Sequence, residues 1–389
     1  MKVVIAIDSF KGSLSSSESG EAVAAGIRAV YPDAHTVVLP LADGGEGTVE
    51  ALTHGSGGRL RAVSVTGPLG HPVEAVYGIA GDGQTAVIEV AAACGLPLVP
   101  RDRRDPSRTT TRGVGELIVD AIREGCRDFV IGLGGSATSD AGIGMLQALG
   151  YRFLDADGGS VGEGGSALER IAHIESSDAL PELASCTFRV ACDVDNPLYG
   201  PEGAAHVFAP QKGASAAMVE QLDQGLRRFA EAAEQTLGRD IAVIPGAGAA
   251  GGLGAALVGF LGAALVSGAE LVLDRLDIES HLSDARLVIT GEGRLDGQTS
   301  RGKAPVGVAR MAQRHGVPVI ALAGGISAEA SALHEQGVSA YFPILSRPMS
   351  LEAAMDPATT AAHLRGTSEQ LFRLLRATDA ASGKTPDCL

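Results

Sequence analysis

Hydrophobic runs of strand length alternate with segments of helical spacing from the first residues onward. KVVIAI (2–7) is a continuous apolar run of the buried-strand type. Ser15 and Glu18 stand in the Ser-x-x-Glu relation of a capping box and predict a helix start. Val23, Ile27 and Val30 then fall on one helical face, and HTVVLP (35–40) predicts a second strand ahead of the loop ADGGEGT.

The middle of the chain changes character. Residues 60–66, 73–79 and 85–90 read as strands separated by turn residues, too close together for crossover helices, so antiparallel pairing is expected. Helical spacing returns at Val114, Leu117, Ile118, Ala121 and Ile122, before a strand at 128–133 and the loop GGSATSD. Another strand, 188–192, runs into DVDNPL, and a polar-faced helix near 215–236 precedes IAVIPGAGAAGGLG. Parallel-type strands follow at 287–290, 317–323 and 340–344 with helices between. The two ends thus look alike. They predict an α/β fold in which a Rossmann-like parallel-sheet domain, residues 1–58 plus 283–389, is interrupted by a second, inserted α/β domain, residues 59–282.

Length agrees with two domains, since 389 residues exceed what one core usually serves. The net charge of −15, the absence of Trp and the 4% aromatic content argue against nucleic acid as a partner. Five cysteines without a C-x-x-C pair fit a reducing compartment, and the nine histidines show no zinc spacing. The apolar run of MKVVIAIDSF is too short for a signal peptide, and Asp8 interrupts it. The uncharged run 241–269 is long enough to span a bilayer, but its proline and glycines favour a buried helix packed on a sheet. A cytoplasmic chain without a membrane partner is expected.

The polar clusters fall at strand ends. Asp8 follows VVIAI, Asp43 follows TVVLPLA, Asp193 follows FRVAC and Glu292 follows LVIT. In open parallel sheets those ends form the ligand crevice. Asp and Gly are also ordinary turn residues, which accounts for any one of them alone. It accounts less well for the set, because Lys11, Lys212, Arg294 and Lys303 share the same loops. In DSFKGSLSSSE, Lys11 and Gly12 beside a helix start suit a phosphate or carboxylate, although the P-loop pattern is missing. In GLGGSATSDAGIGMLQALG, the main-chain N–H groups of Gly134, Gly135, Ser136 and Ala137 are expected to surround an anion, while Met145, Leu146 and Leu149 bury the following helix. This turn resembles the Gly-Leu-Gly-Ser-Ser-Ala loop of the small-metabolite kinases of the galactokinase and homoserine kinase group.

Gly246, Gly248 and Gly251 form a G-x-G-x-x-G, the one argument for a nicotinamide site, but close helix packing or an anion-binding turn is the favoured reading. Asp193 and Asp195, two residues apart, can place two carboxylates around a hard divalent ion if extended. Lys212 either meets a phosphate oxygen or stays in solvent. Finally, LVITGEGRLDGQTSRGKAPVGVA (287–309) reads as strand, Gly-rich loop and helix start. In that loop, with 290–298 as an anion cage, Arg294 offers a bidentate fork for a carboxylate, Asp296 a proton acceptor and Lys303 a charge for transferring phosphate.

DSFKGS, ADGGEGT, GGSATSDAGIGMLQALG, DVDNPL, PQKGA, GAGAAGGLG and TGEGRLDGQTSRGKAP, in this order, closely resemble the bacterial glycerate kinases of glyoxylate and sugar-acid catabolism. The likeness runs from the first strand to about residue 370; many members have Pro where this chain has Ile7. The resemblance implies phosphoryl transfer from Mg-ATP to D-glycerate, with 2-phosphoglycerate favoured over 3-phosphoglycerate, and a site in the cleft between two α/β domains.

On that basis the catalytic candidates are Asp193, Asp296, Lys11 and Lys303, with Asp193 as the favoured base. Asp8, Ser9, Arg294 and Ser136 are assigned to substrate. Gly134, Gly135, Lys212, Gly246 and Gly248 are assigned to nucleotide phosphate, and Asp43, Glu46 and Asp195 to Mg²⁺. Two other readings stand beside this one: an NAD(P)-dependent hydroxy-acid dehydrogenase and a non-catalytic sugar-acid-binding protein. Assembly as a homo-oligomer is left open.

Overall fold

The computed structural model describes residues 1–297, 299 and 303–381. Gln298 of the expected cage segment, Arg301 beyond it, and Cys388 lie outside the described residues. In chain order the strands are β1 (Lys2–Ile7), β2 (His35–Pro40), β3 (Arg59–Thr66), β4 (Pro72–Ile79), β5 (Thr85–Glu89), β6 (Asp128–Gly132), β7 (Arg152–Leu154), β8 (His173–Glu175), β9 (Thr187–Ala191), β10 (Ala264–Val266), β11 (Leu287–Leu295), β12 (Val319–Ile326) and β13 (Ala340–Pro343). The chain divides into two units, Met1–Asp43 with Ala269–Leu389, and Gly44–Gly268.

The first unit carries a five-stranded sheet of order β13-β12-β11-β1-β2, parallel throughout. β1 and the first half of β11 are buried along nearly their whole length, which is why they read as unbroken apolar runs rather than alternating ones. Val3, Ile5, Ile7 and Ile289 are fully enclosed and pack with Val23 and Ile27 of the helix Ser16–Arg28 and with Leu364 and Phe372 of the helix Pro357–Ala381. Truncating any one of these aliphatic side chains to alanine costs about 2–5 kcal/mol. The capping box forms as read: Ser15 Oγ accepts from the Glu18 N–H, and a Glu18 carboxylate oxygen accepts from the Ser15 N–H.

The second unit is built on a six-stranded sheet of order β10-β9-β6-β5-β4-β3. β3, β4 and β5 pair antiparallel, as the short connections demand, whereas β5, β6, β9 and β10 are parallel. Its core includes Tyr77, Phe129, Ile131, Leu117, Ile118, Met145, Leu146 and Phe229. The hairpin β7–β8 and the short strand β10 had no sequence signal strong enough to read, being three residues each.

Three expectations change. The units divide at 43/44 and 268/269, not near 58 and 283. The helix Thr48–Gly55 packs on β3, β4 and β5 of the second unit, whereas Ile278–Leu282 packs on Ala304–Arg314 of the first. Second, β11 does not stop at Thr290: it continues through Gly-Glu-Gly-Arg-Leu, with Arg294 opposite Gly325 and Leu295 opposite Ile326. The segment expected as a cage is therefore largely ladder-bonded strand. Third, the nicotinamide reading of the G-x-G-x-x-G loses its context: residues 241–244 before it form no strand, whereas the strand-to-helix turn of dinucleotide binding requires one. The apolar run beyond it forms the helix Ala249–Leu261, and among the described residues no helix is long and apolar enough to cross a membrane.

Candidate active site

In the first unit the chain leaves β1 toward β2 on one side, while β11 pairs on the other. The strand order therefore reverses between β1 and β11, and a crevice is expected outside their carboxyl ends. A pocket of about 590 Å³ lies there, lined by Asp8, Ser9, Lys11, Arg294, Asp296 and Lys303 among others. Six of the residues singled out by sequence are thus brought to one concavity by adjacent parallel strands.

Asp8 is nearly buried, and its carboxylate accepts from the Ser9 N–H at 2.6 Å. Burial first, and the Asp43 charge second, push its carboxyl pKa up to about 7. Lys11 Nζ donates to Asp43 Oδ2 at 2.8 Å. Burial works against the Lys11 charge, but Asp43, with Asp8 and Glu292 beyond it, holds the ammonium pKa above its usual value. Arg294 is largely exposed, with its Nε 3.7 Å from Asp296. The side chain thus reaches out from the strand with little protein to hold it.

Sequence marks Glu292 only as a strand-end acid. It is buried, accepts from Thr299 Oγ1 at 2.5 Å and pairs with Lys303 Nζ at 3.4 Å. Burial raises its pKa, and Thr299 and Lys303 oppose that. Lys303 is accordingly a cation already positioned by a carboxylate, at the start of the helix Ala304–Arg314.

In the second unit the loop after β6 carries Gly134 and Gly135 exposed and Ser136 buried. Not all of its N–H groups face outward as expected: the Ala137 N–H donates to Cys94 O at 2.8 Å. Lys212 does not stay in solvent. It is buried, donating through Nζ to Thr138 O at 2.5 Å and Ser136 Oγ at 3.1 Å, and burial lowers its pKa to about 8. Its ammonium thus shapes the loop from beneath.

Asp140, which sequence reasoning passed over, is fully buried and accepts from Thr111 N–H and Oγ1, both at 2.9 Å, and from the Gly142 N–H. Its signal was an Asp just before a helix start, where a carboxylate satisfies otherwise orphaned donors. Likewise Glu89, at the end of β5, accepts from the Val49 N–H at 2.9 Å.

Asp193 and Asp195 are exposed beyond β9, and Asp193 Oδ1 accepts from the Gly268 N–H at 3.1 Å. Gly246 and Gly248, expected at phosphate, are buried, and the Gly248 N–H donates to Asn196 O at 2.9 Å. A Cβ at Gly248 would lie 2.3 Å from Pro197 O, and one at Gly246 would lie 2.9 Å from Cys192 Sγ. Close backbone packing, not an open anion-binding turn, explains these glycines.

The metal assignment is also narrowed. Among the described residues no group of three or more His, Cys, Asp or Glu side chains is arranged to hold a metal ion. Asp43 already faces Lys11, while Glu46 and Asp195 are exposed carboxylates of the hard-oxygen type that suits Mg²⁺. The donors fit an ion that enters with a phosphate ligand and fit a preformed protein cage poorly.

A sequence model of the glycerate kinase family matches residues 3–376. The chain is 51% identical over 354 residues to the glycerate 2-kinase of Escherichia coli (strain K12), covering 91% of this chain and 93% of that protein. It is 52% identical over 358 residues to the glycerate kinase of Bacillus subtilis (strain 168), covering 92% and 94%. The fold matches the crystal structure of a protein assigned as glycerate kinase 2 from Salmonella typhimurium LT2 with a TM-score of 0.90 at 48% identity, covering 98% of this chain and 99% of that one. With acid, ammonium and guanidinium groups gathered where the strand order of a parallel sheet reverses, and with matches spanning nearly its whole length, the chain belongs to the glycerate kinase family and is a phosphotransferase that acts on an alcohol group.

Proposed function

We propose that the chain transfers the γ-phosphoryl group of ATP to D-glycerate, giving 2-phosphoglycerate and ADP, and that it does so in the cytoplasm. The observation that carries this reading is the pocket at the β1/β11 switch point, where Arg294, Lys11, Lys303 and the buried Asp8 line one space. A three-carbon hydroxy acid needs one cationic fork for its carboxylate and one acceptor for the proton of the reacting hydroxyl. Arg294 supplies the fork, since a guanidinium binds a carboxylate through two parallel hydrogen bonds. Ser9 completes the contacts to substrate.

Asp8 takes the proton. A carboxyl group with a pKa of about 7 is matched to general-base work near neutrality, where it is both available and basic enough. This moves the base from Asp193, which is exposed in the second unit, to Asp8, with Asp296 in support. The glycerate hydroxyl oxygen forms the new P–O bond as the bond between the γ-phosphorus and the β,γ-bridging oxygen breaks; the hydroxyl proton passes to Asp8, and ADP leaves with the bonding electron pair. Lys11 and Lys303 face the charge on the transferring group. Such positioning and neutralisation account for most of the catalysis of phosphoryl transfer.

In the second unit Gly134 and Gly135, on the loop that Lys212 holds from below, receive the nucleotide phosphates. Mg²⁺ bound with the phosphates supplies further charge neutralisation, and Glu46, Asp193 and Asp195 are its carboxylate candidates. The dehydrogenase reading finds no support, because the glycine fingerprint is packed against backbone and follows no strand. A coupled ADP-release assay with D-glycerate, followed by phosphorus NMR of the product, tests the proposal. ADP release dependent on D-glycerate and a 2-phosphoglycerate resonance are expected; release without glycerate dependence overturns the substrate, and a 3-phosphoglycerate resonance overturns the regiochemistry.

A further inference from the structure

RDRRDPSR (101–108) is the densest run of positive charge in a chain whose net charge is −15. Three of its arginines, Arg103, Arg104 and Arg108, line one pocket of about 540 Å³ in the second unit, together with Asp102, Asp105 and Leu69. Several arginines elsewhere in this unit hold carboxylates: Arg61 meets Asp120 at 2.6 Å and Arg112 meets Glu163 at 2.6 Å. Among the described residues the side chains of Arg103, Arg104 and Arg108 make no ion pair or hydrogen bond, and Arg104 Nε is buried without a partner. A buried donor left unpaired is costly, and more so when the group is charged. Three like charges around one concavity add mutual repulsion. Of the two acids at the rim, Asp105 is already engaged, accepting from the Ser107 N–H at 3.0 Å and from Ser107 Oγ at 2.5 Å. The pocket therefore holds more cationic donors than protein acceptors.

Its position is fixed by the surrounding loops. Gly213, with φ of +101°, brings the PQKG turn so close that a Cβ there would lie 2.4 Å from Arg104 O. The neighbouring Lys212 is bound to Ser136 and Thr138, and Thr109 Oγ1 donates to Ala137 O at 2.9 Å. The arginine segment is thus fastened on both flanks to the loop after β6. A guanidinium presents planar, paired donors that match phosphate oxygens, and an acidic protein keeps such a cluster unpaired at a cost unless an anion occupies it.

We propose that the Arg103–Arg104–Arg108 pocket is a binding site for a small phosphorylated anion. The ligand chemistry is that of two or more adjacent phosphate oxygens, which either a nucleotide or a phosphorylated acid presents.

The test uses the full chain and inorganic pyrophosphate as probe. Pyrophosphate is expected to raise the thermal midpoint above that in chloride of equal ionic strength, because a ligand bound only by the folded state stabilises it. Arg103→Gln with Arg108→Gln, both on exposed side chains, should weaken calorimetric pyrophosphate binding by about tenfold or more. A single Arg108→Gln should have an intermediate effect. Titrations with a non-hydrolysable ATP analogue and with 2-phosphoglycerate then separate the sources: weakening confined to the analogue assigns the pocket to the nucleotide, and weakening confined to the phosphoglycerate assigns it to a separate metabolite anion. No midpoint shift beyond that of chloride, or equal pyrophosphate affinity in the double variant and the parent chain, overturns the proposal. None of these measurements needs glycerate turnover, so they stand or fall apart from the proposed reaction.

Discussion

Lys11 and Asp43 close an ion pair of 2.8 Å between the loops that follow β1 and β2. The pair sits beside Asp8, whose pKa is raised partly by the Asp43 charge and lowered by that of Lys11. Lys11→Met should therefore act twice. It removes a cation from the transferring phosphoryl, lowering kcat by about 10²–10³-fold. It also leaves Asp8 facing Asp43 without that counter-charge, so the acid limb of the kcat/KM–pH profile should move to higher pH. An unmoved acid limb would separate Asp8 from that limb.

Asp8→Asn should show opposite effects on activity and stability. Because the folded-state carboxyl pKa is raised from 3.8 to about 7, the folded chain binds a proton in that window that the unfolded chain has released. Stability from this group is therefore present below the unfolded value and lost as pH rises toward 7. The amide variant should be less active by orders of magnitude, yet more stable than the parent chain at neutral pH and flatter in its stability between pH 4 and 7. Denaturant midpoints across that range, with kinetics at each pH, decide it.

Arg294→Ala should raise the KM for glycerate by about tenfold or more, with a much smaller change for ATP. The side chain is 72% exposed and its ion pair with Asp296 spans 3.7 Å, so the thermal midpoint should hardly change. Equal KM effects on both substrates would remove the carboxylate role.

Lys212→Met should loosen the loop after β6 and alter the alkaline stability profile. The folded pKa is depressed from 10.5 to about 8, so between those values the unfolded chain binds the extra proton and the parent chain gains stability as pH rises. The methionine variant should lack that rise and show a higher KM for ATP. Amide exchange at 133–138, expected to quicken, provides a readout independent of activity.

Two glycines of opposite setting test the packing account. Gly248→Ala drives a methyl group toward Pro197 O and should cost about 1–3 kcal/mol. Gly366→Ala, in the helix Pro357–Ala381 with no atom within 4 Å of the added methyl, should stabilise by about 0.5–1 kcal/mol. Paired denaturant melts give both values.

Local pattern was enough to find the strands β1 and β2, the capping box at Ser15 and Glu18, and the antiparallel run β3–β4–β5, because each is specified by neighbours in sequence through periodicity and turn spacing. The same reasoning picked Asp8, Lys11, Arg294, Asp296 and Lys303 as strand-end residues, since a parallel sheet puts its chemistry at the carboxyl ends. Pairing across the sheet was decided elsewhere. β11 runs on to Leu295 because β12 supplies Gly325 and Ile326 opposite Arg294 and Leu295, partners far along the chain that no local signal reports. The burial of Lys212 and Asp140, the packing of Gly248 on Pro197 and the lack of partners at Arg103, Arg104 and Arg108 are likewise set by what surrounds each group in space. Desolvation and charge coupling depend on that surrounding, so the sequence by itself determined which residues carry the chemistry, and the tertiary structure decided which of them are buried, paired and shifted in pKa.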